Sequence, residues 1–207
     1  EALSKDERIE TVLLRLDNIG GTGQTVLYDI GKALQKVKDS GKRIIAVSDY
    51  FQESSYYLAS YADEIILNPN GGVYIDGYHR SRLYYKSFIE KTKVTINLFR
   101  VGKYKSAMEP YIRDSMSEAD KEAALTYMND LWGSWKSIVA KNRNLDIDQI
   151  QNYPDSFDSL YEQEKGNGSQ VALKIGLVDN LLNRVETREY LRKIIVENDE
   201  EELLKIS

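Results

Sequence analysis

TVLLRLDNIGGTGQTVLYDIGKALQKVKDSGKRIIAV, residues 11–47, decides the fold class. It opens on TVLLRL (residues 11–16), a β-branched and aliphatic run that reads as a buried strand. The glycine-rich turn DNIGGTG follows. Leu27, Ile30, Leu34 and Val37 then recur every three or four residues, which lays one apolar stripe along a helix. DSGK ends that helix, with Gly41 as the stop. RIIAV (residues 43–47) is a second short buried strand. Strand, helix and strand in this order make a βαβ unit, and such units are right-handed and parallel in nearly all cases.

The alternation continues. A short helix is expected over residues 54–61, a strand at EIILN, and another short strand between the glycine breaks of GGVYIDG. Residues 82–91 read as helical, with Leu83, Tyr84, Phe88 and Lys91 as candidate inner positions. VTINLFRV (residues 94–101) reads as a strand. Ser115 with Glu118, and Ser117 with Asp120, have capping-box spacing. Behind them a long amphipathic helix runs to about Asn142, with Tyr127, Met128, Leu131, Trp135, Ile138 and Val139 on one face. EKGNGSQVALKIGLVDNLL supplies a glycine-rich loop, a short helix and a strand-like GLVD.

Strands and helices alternate throughout, so the expected class is α/β. TVLLRL, RIIAV and EIILN should be neighbours in one parallel sheet, with VTINLFRV in the same core. No linker or internal repeat divides the chain. The expected division is an N-terminal extension over residues 1–10, one domain over 11–196 and an acidic, frayed tail over 197–207.

Composition narrows the function. Of the 207 residues, 42% are hydrophobic and 29% charged, as in ordinary globular proteins. The net charge of −5 argues against nucleic acid as a partner. No apolar stretch approaches the roughly 20 residues that span a bilayer. The chain shows neither a signal peptide nor a starting Met, so a processed product or an excised piece is expected. With no cysteine there is no thiol nucleophile, and with His79 as the only histidine there is no multi-histidine zinc site. His79 has no carboxylate at telling spacing and reads as a surface or core residue. Asp49 and Glu53 have the look of a glycosidase carboxylate pair, but that spacing is commonplace on loops. Trp132 and Trp135, at helical spacing, read as packing. The 15 tyrosines, among them Tyr56-Tyr57 and Tyr84-Tyr85, suit oligomer or domain contacts.

Four longer stretches carry a family likeness: LRLDNIGG (residues 14–21), SGKRIIAV (40–47), SYYLASYADEIILNPNG (55–71) and VGKYKSAMEPYIRDSMS (101–117). GLVD (176–179) adds a closing motif. Together they resemble the signal peptide peptidase A (protease IV) family of the Clp protease/crotonase superfamily. The resemblance implies a Clp/crotonase-like fold of repeated ββα or βαβ units with outer helices. It implies a serine endopeptidase with a Ser/Lys dyad and no metal or organic cofactor. In the long form of the family the first half of the chain donates the lysine and the second half the serine. This sequence resembles the first half, and the G-x-Y-K-S-A context lands on Lys105.

A serine hydroxyl becomes a good nucleophile only when a base takes its proton. Lysine does so once burial or a neighbouring cation lowers its pKa toward neutrality. Lys103 would supply such a cation, Ser106 would orient the amine, and Tyr104, Ala107 and Met108 would wall it once a partner closes over them. On composition alone Lys103 and Lys105 read as a solvated loop; the family context makes Lys105 the general base.

The family's nucleophile sits in an S-G-G-Y turn. Here VSDYFQESSYYLAS puts Glu53 in that slot, and the two following glycines are absent. Ser54 and Ser55 are offset and read as helix-start residues. The family's N-S-P-G-G oxyanion turn survives only as Asn18, Gly20 and Gly21, with Ile19 in the proline position, and reads as a plain turn feeding the helix. The isolated chain is therefore expected to be inactive. The expected partners are signal peptides or other short apolar peptides, a C-terminal half of the same protein, and further copies in a ring-like tetramer. The resemblance places the domain outside the cytoplasm in the bacterial cell envelope, on a membrane anchor that is not part of this chain. Two alternatives stand beside this: a non-catalytic scaffold domain of the same fold, in which Lys105 is structural, and a crotonase-type acyl-CoA enzyme. The last lacks a basic phosphate pocket and acidic residues at motif spacing.

Overall fold

The computed structural model describes residues 2–98, 102 and 105–196. The chain forms two compact units, one holding the residues up to Asp76 and from Lys136 onward, the other Gly77–Trp135.

The first unit begins with α1 (Ala2–Lys5), β1 (Thr11–Arg15), α2 (Gln24–Asp39) and β2 (Arg43–Ser48). Then come the two-residue β3 (Phe51–Gln52), α3 (Glu53–Ala59), β4 (Glu64–Leu67) and β5 (Val73–Tyr74). The second unit contains α4 (Lys86–Lys91), α5 (Glu109–Ile112) and most of α6 (Glu118–Arg143). The chain returns to the first unit through the end of α6, α7 (Ile147–Asp155), α8 (Phe157–Gln163), α9 (Gly168–Ile175), β6 (Asn180–Leu181) and α10 (Arg184–Val196).

The main sheet has the order β1-β2-β4-β6, with every neighbouring pair parallel. The three strands expected as neighbours are therefore adjacent. β2 and β4 lie in the middle, where Ile44, Ile45, Ala46, Ile65, Ile66 and Leu67 are fully buried. Strands covered on both faces need such continuous aliphatic runs. β1 is an edge strand and alternates, with Leu13 and Arg15 exposed, so TVLLRL is half-buried where full burial was expected. α2 turns Leu27, Gly31 and Val37 inward; Ile30, expected on that stripe, is exposed. Gly31 lets the helix approach the Tyr61 ring, since a Cβ there would lie 2.6 Å from it. Gly41 ends the turn after α2 at φ +83°, a backbone conformation that L side chains rarely adopt.

The later elements differ more. Residues 94–98 of VTINLFRV belong to the second unit and form no strand; 99–101 lie outside the described residues. A β-branched run becomes a strand only when another strand accepts its backbone hydrogen bonds. The helix expected over 82–91 is the shorter α4, and Leu83, Phe88 and Lys91 are exposed rather than inner. On α6, Trp135 and Val139 are fully buried, while Tyr127 is exposed. Trp132 stacks on Trp135 at 4.9 Å between centroids, which is the packing role expected of both. GLVD is the turn before β6, not the strand itself. The tail over 197–207 lies outside the described residues. Among those described, no helix is long and apolar enough to cross a membrane.

Long-range polar bonds tie the first unit together. Tyr56 of α3 donates its hydroxyl to the Leu177 carbonyl at 2.6 Å. Asp179 accepts the Ile65 N–H of β4 at 2.7 Å and pairs with Arg143, also at 2.7 Å. Arg143 further donates to the Gly176 carbonyl at 3.0 Å. GLVD thus holds the start of β4 and the inner face of α3.

Candidate active site

The slot expected for the nucleophile lies a few residues past β2, at the start of α3. The Ser48 hydroxyl turns the chain by donating to the Tyr50 carbonyl at 2.6 Å. Asp17, just past β1, accepts the Asp49 N–H at 2.8 Å. The Asp49 carboxylate accepts from Asn68 at 2.9 Å and pairs with Arg184 at the start of α10. The Arg184 bond, helped by Asn68, holds the Asp49 carboxyl below the usual range. Asp49 is an anchor of this loop and not one half of an acid pair.

Glu53 opens α3, and its carboxylate accepts the Asp76 N–H at 2.9 Å. It is half-buried, and that burial, with the Asp76 carboxyl beside it, pushes its pKa up. It lines an open groove of about 460 Å³ with Gln52, Tyr74, Asp76, Pro154 and Phe157. Ser55 is buried; its hydroxyl accepts the Gln52 N–H at 2.8 Å and donates back to the Gln52 carbonyl at 3.1 Å. That is the helix-start role expected for it, and it takes the hydroxyl out of nucleophilic use. Ser54 is half-buried on the first turn of α3. Gly20 and Gly21 are exposed, and a Cβ at either would meet nothing within 4 Å. They belong to an irregular connector running to α2, and neither position needs glycine for a close approach within this chain. His79, in the second unit, is a surface residue.

Lys105 lies in the second unit and is exposed. Its N–H points back to the Gly102 carbonyl at 3.4 Å. Gly102 has φ +110°, a backbone conformation that L side chains rarely adopt, while a Cβ there would make only an ordinary contact with the lysine stem, 3.7 Å from its Cγ. This is a local reason for the glycine of G-x-Y-K-S-A. Lys103 and Tyr104 lie outside the described residues; Ala107 and Met108 are exposed.

Ser106 is held from two sides. Its hydroxyl donates to the Asp120 carboxylate at 2.6 Å, and its carbonyl accepts from Arg82 Nη1 at 3.1 Å. Its proton is therefore directed at Asp120 rather than at the Lys105 amine. Asp120 is 4% exposed and faces Arg80 at 3.3 Å and Arg82 at 3.9 Å. The Ser106 bond, with these two guanidiniums, keeps its carboxyl below the usual range. A second clasp lies beside it: Ser117 donates its hydroxyl to the buried Glu109 carboxylate at 2.6 Å, and its oxygen accepts the Asp120 N–H at 3.1 Å. The sequence signals of this cluster are the capping spacing of Ser117 and Asp120 and the place of Ser106 in the lysine motif. Nothing in the spacing of Arg80, Arg82 and Glu109 announced them.

The model of peptidase family S49 matches residues 36–192. The chain belongs to peptidase family S49. It is 38% identical over 191 residues to a protein named Protease 4 from Salmonella typhi, covering 92% of this chain and 31% of that one. It is 36% identical over 181 residues to Protease 4 from Haemophilus influenzae, covering 87% and 29%. A chloroplastic serine protease SPPA from Arabidopsis thaliana is 24% identical over 183 residues, covering 88% of this chain and 27% of that one. The chain thus spans about a third of the length of the two Protease 4 proteins. The family expectation drawn from the motifs around Leu14, Ser40, Ser55 and Val101 holds.

Proposed function

We propose that this chain is the lysine-donating part of an S49 peptidase that hydrolyses signal peptides or other short apolar peptides. Lys105 is the general base, and the nucleophilic serine comes from a C-terminal half of the same protein. The observation that carries the reading is the split character of the motifs. The lysine motif is intact down to its left-handed Gly102, whereas the nucleophile slot holds Glu53 and the nearest buried serine, Ser55, is spent on a helix cap. A carboxylate cannot stand in for a hydroxyl whose proton a lysine removes. Lys105, Ala107 and Met108 are exposed here, so the half that brings the serine would have this surface to cover. Such covering would strip water from the ammonium and favour the neutral amine. The tetrameric ring, the membrane anchor and the envelope location belong to the same proposal.

The test is turnover of a fluorogenic peptide by the full-length protein. Lys105→Ala should remove nearly all hydrolysis, a loss of about 100- to 10,000-fold. Lys105→Arg should fail almost as completely, because guanidinium stays protonated. Circular dichroism and oligomer size, unchanged in both, separate this from misfolding. Wild-type rates for Lys105→Arg would move the chain to the scaffold reading, in which the domain supplies only assembly contacts.

A further inference from the structure

We infer that Asp120 is a positioning residue for Lys105, acting through Ser106, with Arg82 completing the clamp. This rests on Lys105 being the base proposed above.

A base must reach the proton it removes to within hydrogen-bond distance. A lysine does so on a flexible four-carbon stem, so the placement of its backbone decides how often the amine is in range. Residues 105 and 106 have no regular secondary structure, and the segment then passes through a turn into α5. Its position is set by what ties it. Ser106, the next residue, is gripped at its hydroxyl by Asp120 and at its carbonyl by Arg82. The ties run to sites 14 and 24 residues away in sequence, so they fix the loop against tertiary structure rather than within itself. Asp120 makes a firm anchor. It sits on the first turn of the 26-residue α6, and its own N–H is held by the cap residue Ser117.

The cluster is built at a cost that a plain loop would not need. Asp120 is a buried carboxylate, and among the described residues its Oδ2 accepts no hydrogen bond. Taking such a charge out of water is unfavourable, and Arg80 and Arg82 offset it. A charge retained in this way beside Ser106 favours one geometry of the lysine loop. Glu109 and Ser117 close the other end of the same segment.

The test uses the full-length protein and one fluorogenic peptide, with kcat and KM measured separately. Ser106→Ala removes the link while leaving Asp120 and both arginines in place. It should lower kcat about 10- to 100-fold, the range for a small misplacement of a reacting group. KM should stay within about twofold, because the tie affects the chemical step and not the uniform binding of peptide. Ser106→Thr keeps the hydroxyl and should restore most of kcat. Ser106→Ala combined with Asp120→Ala should be no slower than the slower single variant, since both remove one link. Three results overturn the inference while leaving Lys105 as base: wild-type kcat in Ser106→Ala, a rise in KM alone, or fully additive losses in the double variant. Wild-type turnover by Lys105→Ala overturns both the base and its positioning.

Discussion

Replacing Tyr56 by Phe removes a buried hydroxyl whose hydrogen bond joins two distant family motifs. Tyr56 is fully buried on α3, and its hydroxyl donates to the Leu177 carbonyl, 121 residues away, at 2.6 Å. Phe keeps the ring and its edge contact with Phe51, at 6.0 Å between centroids, so little packing is lost. What changes is the carbonyl of Leu177, a residue that is itself 0% exposed, left without this donor. An abandoned buried acceptor costs about 1–3 kcal/mol. Arg143 interacts with the same hydroxyl and already holds the adjacent Gly176 carbonyl. Arg143 would lose that acceptor as well while keeping Gly176, so the expected loss stands at the middle of that range, about 2 kcal/mol. For a protein of this size the melting temperature should fall by about 4–8 °C. Burial pushes the phenol pKa far up, so the hydroxyl stays a donor across the working range and the loss should be constant with pH. Calorimetry at several pH values measures this. A melting temperature within about 1 °C of wild type would refute the claim that this bond holds α3 to the GLVD turn.

Gly71→Ala should be far more damaging, because a Cβ there would lie 1.8 Å from the Asp49 carbonyl oxygen, well inside ordinary contact. A loss of about 3 kcal/mol or more is expected from urea unfolding, against less than about 0.5 kcal/mol for Gly20→Ala, and equal losses would contradict the packing described. Glu53→Gln should stabilise the protein at neutral and alkaline pH. The folded pKa of Glu53 is raised, so its contribution is present below the unfolded pKa and lost as pH rises through the folded one. The variant should exceed wild type in melting temperature by more at about pH 8 than at about pH 4; an equal difference at both would remove Glu53 as the cause.

Much of the first unit was legible from local pattern. Aliphatic runs at RIIAV and EIILN are long enough only for strands, Gly41 stops the intervening helix, and the connection between parallel strands leaves little choice of hand. The lysine motif around Lys105 and the slot that holds Glu53 were also readable, because both are contiguous words. Sequence failed where burial depends on a partner. Leu83 and Phe88 have inner-face chemistry but remain exposed, and residues 94–98 have strand chemistry without a neighbouring strand.

The sequence by itself determined the α/β class, the family, and which residues, Lys105 and Glu53, stand at the two motif positions. Only the tertiary structure decided how the lysine segment is held. Ser106, Asp120, Arg80 and Arg82 come from segments up to 40 residues apart, and no local periodicity encodes their meeting. The physical reason lies in range. Strand and helix follow from backbone bonds and side-chain period over a few residues. A buried carboxylate is tolerable only where folding brings cations and a hydroxyl to it, and that depends on the whole unit at once.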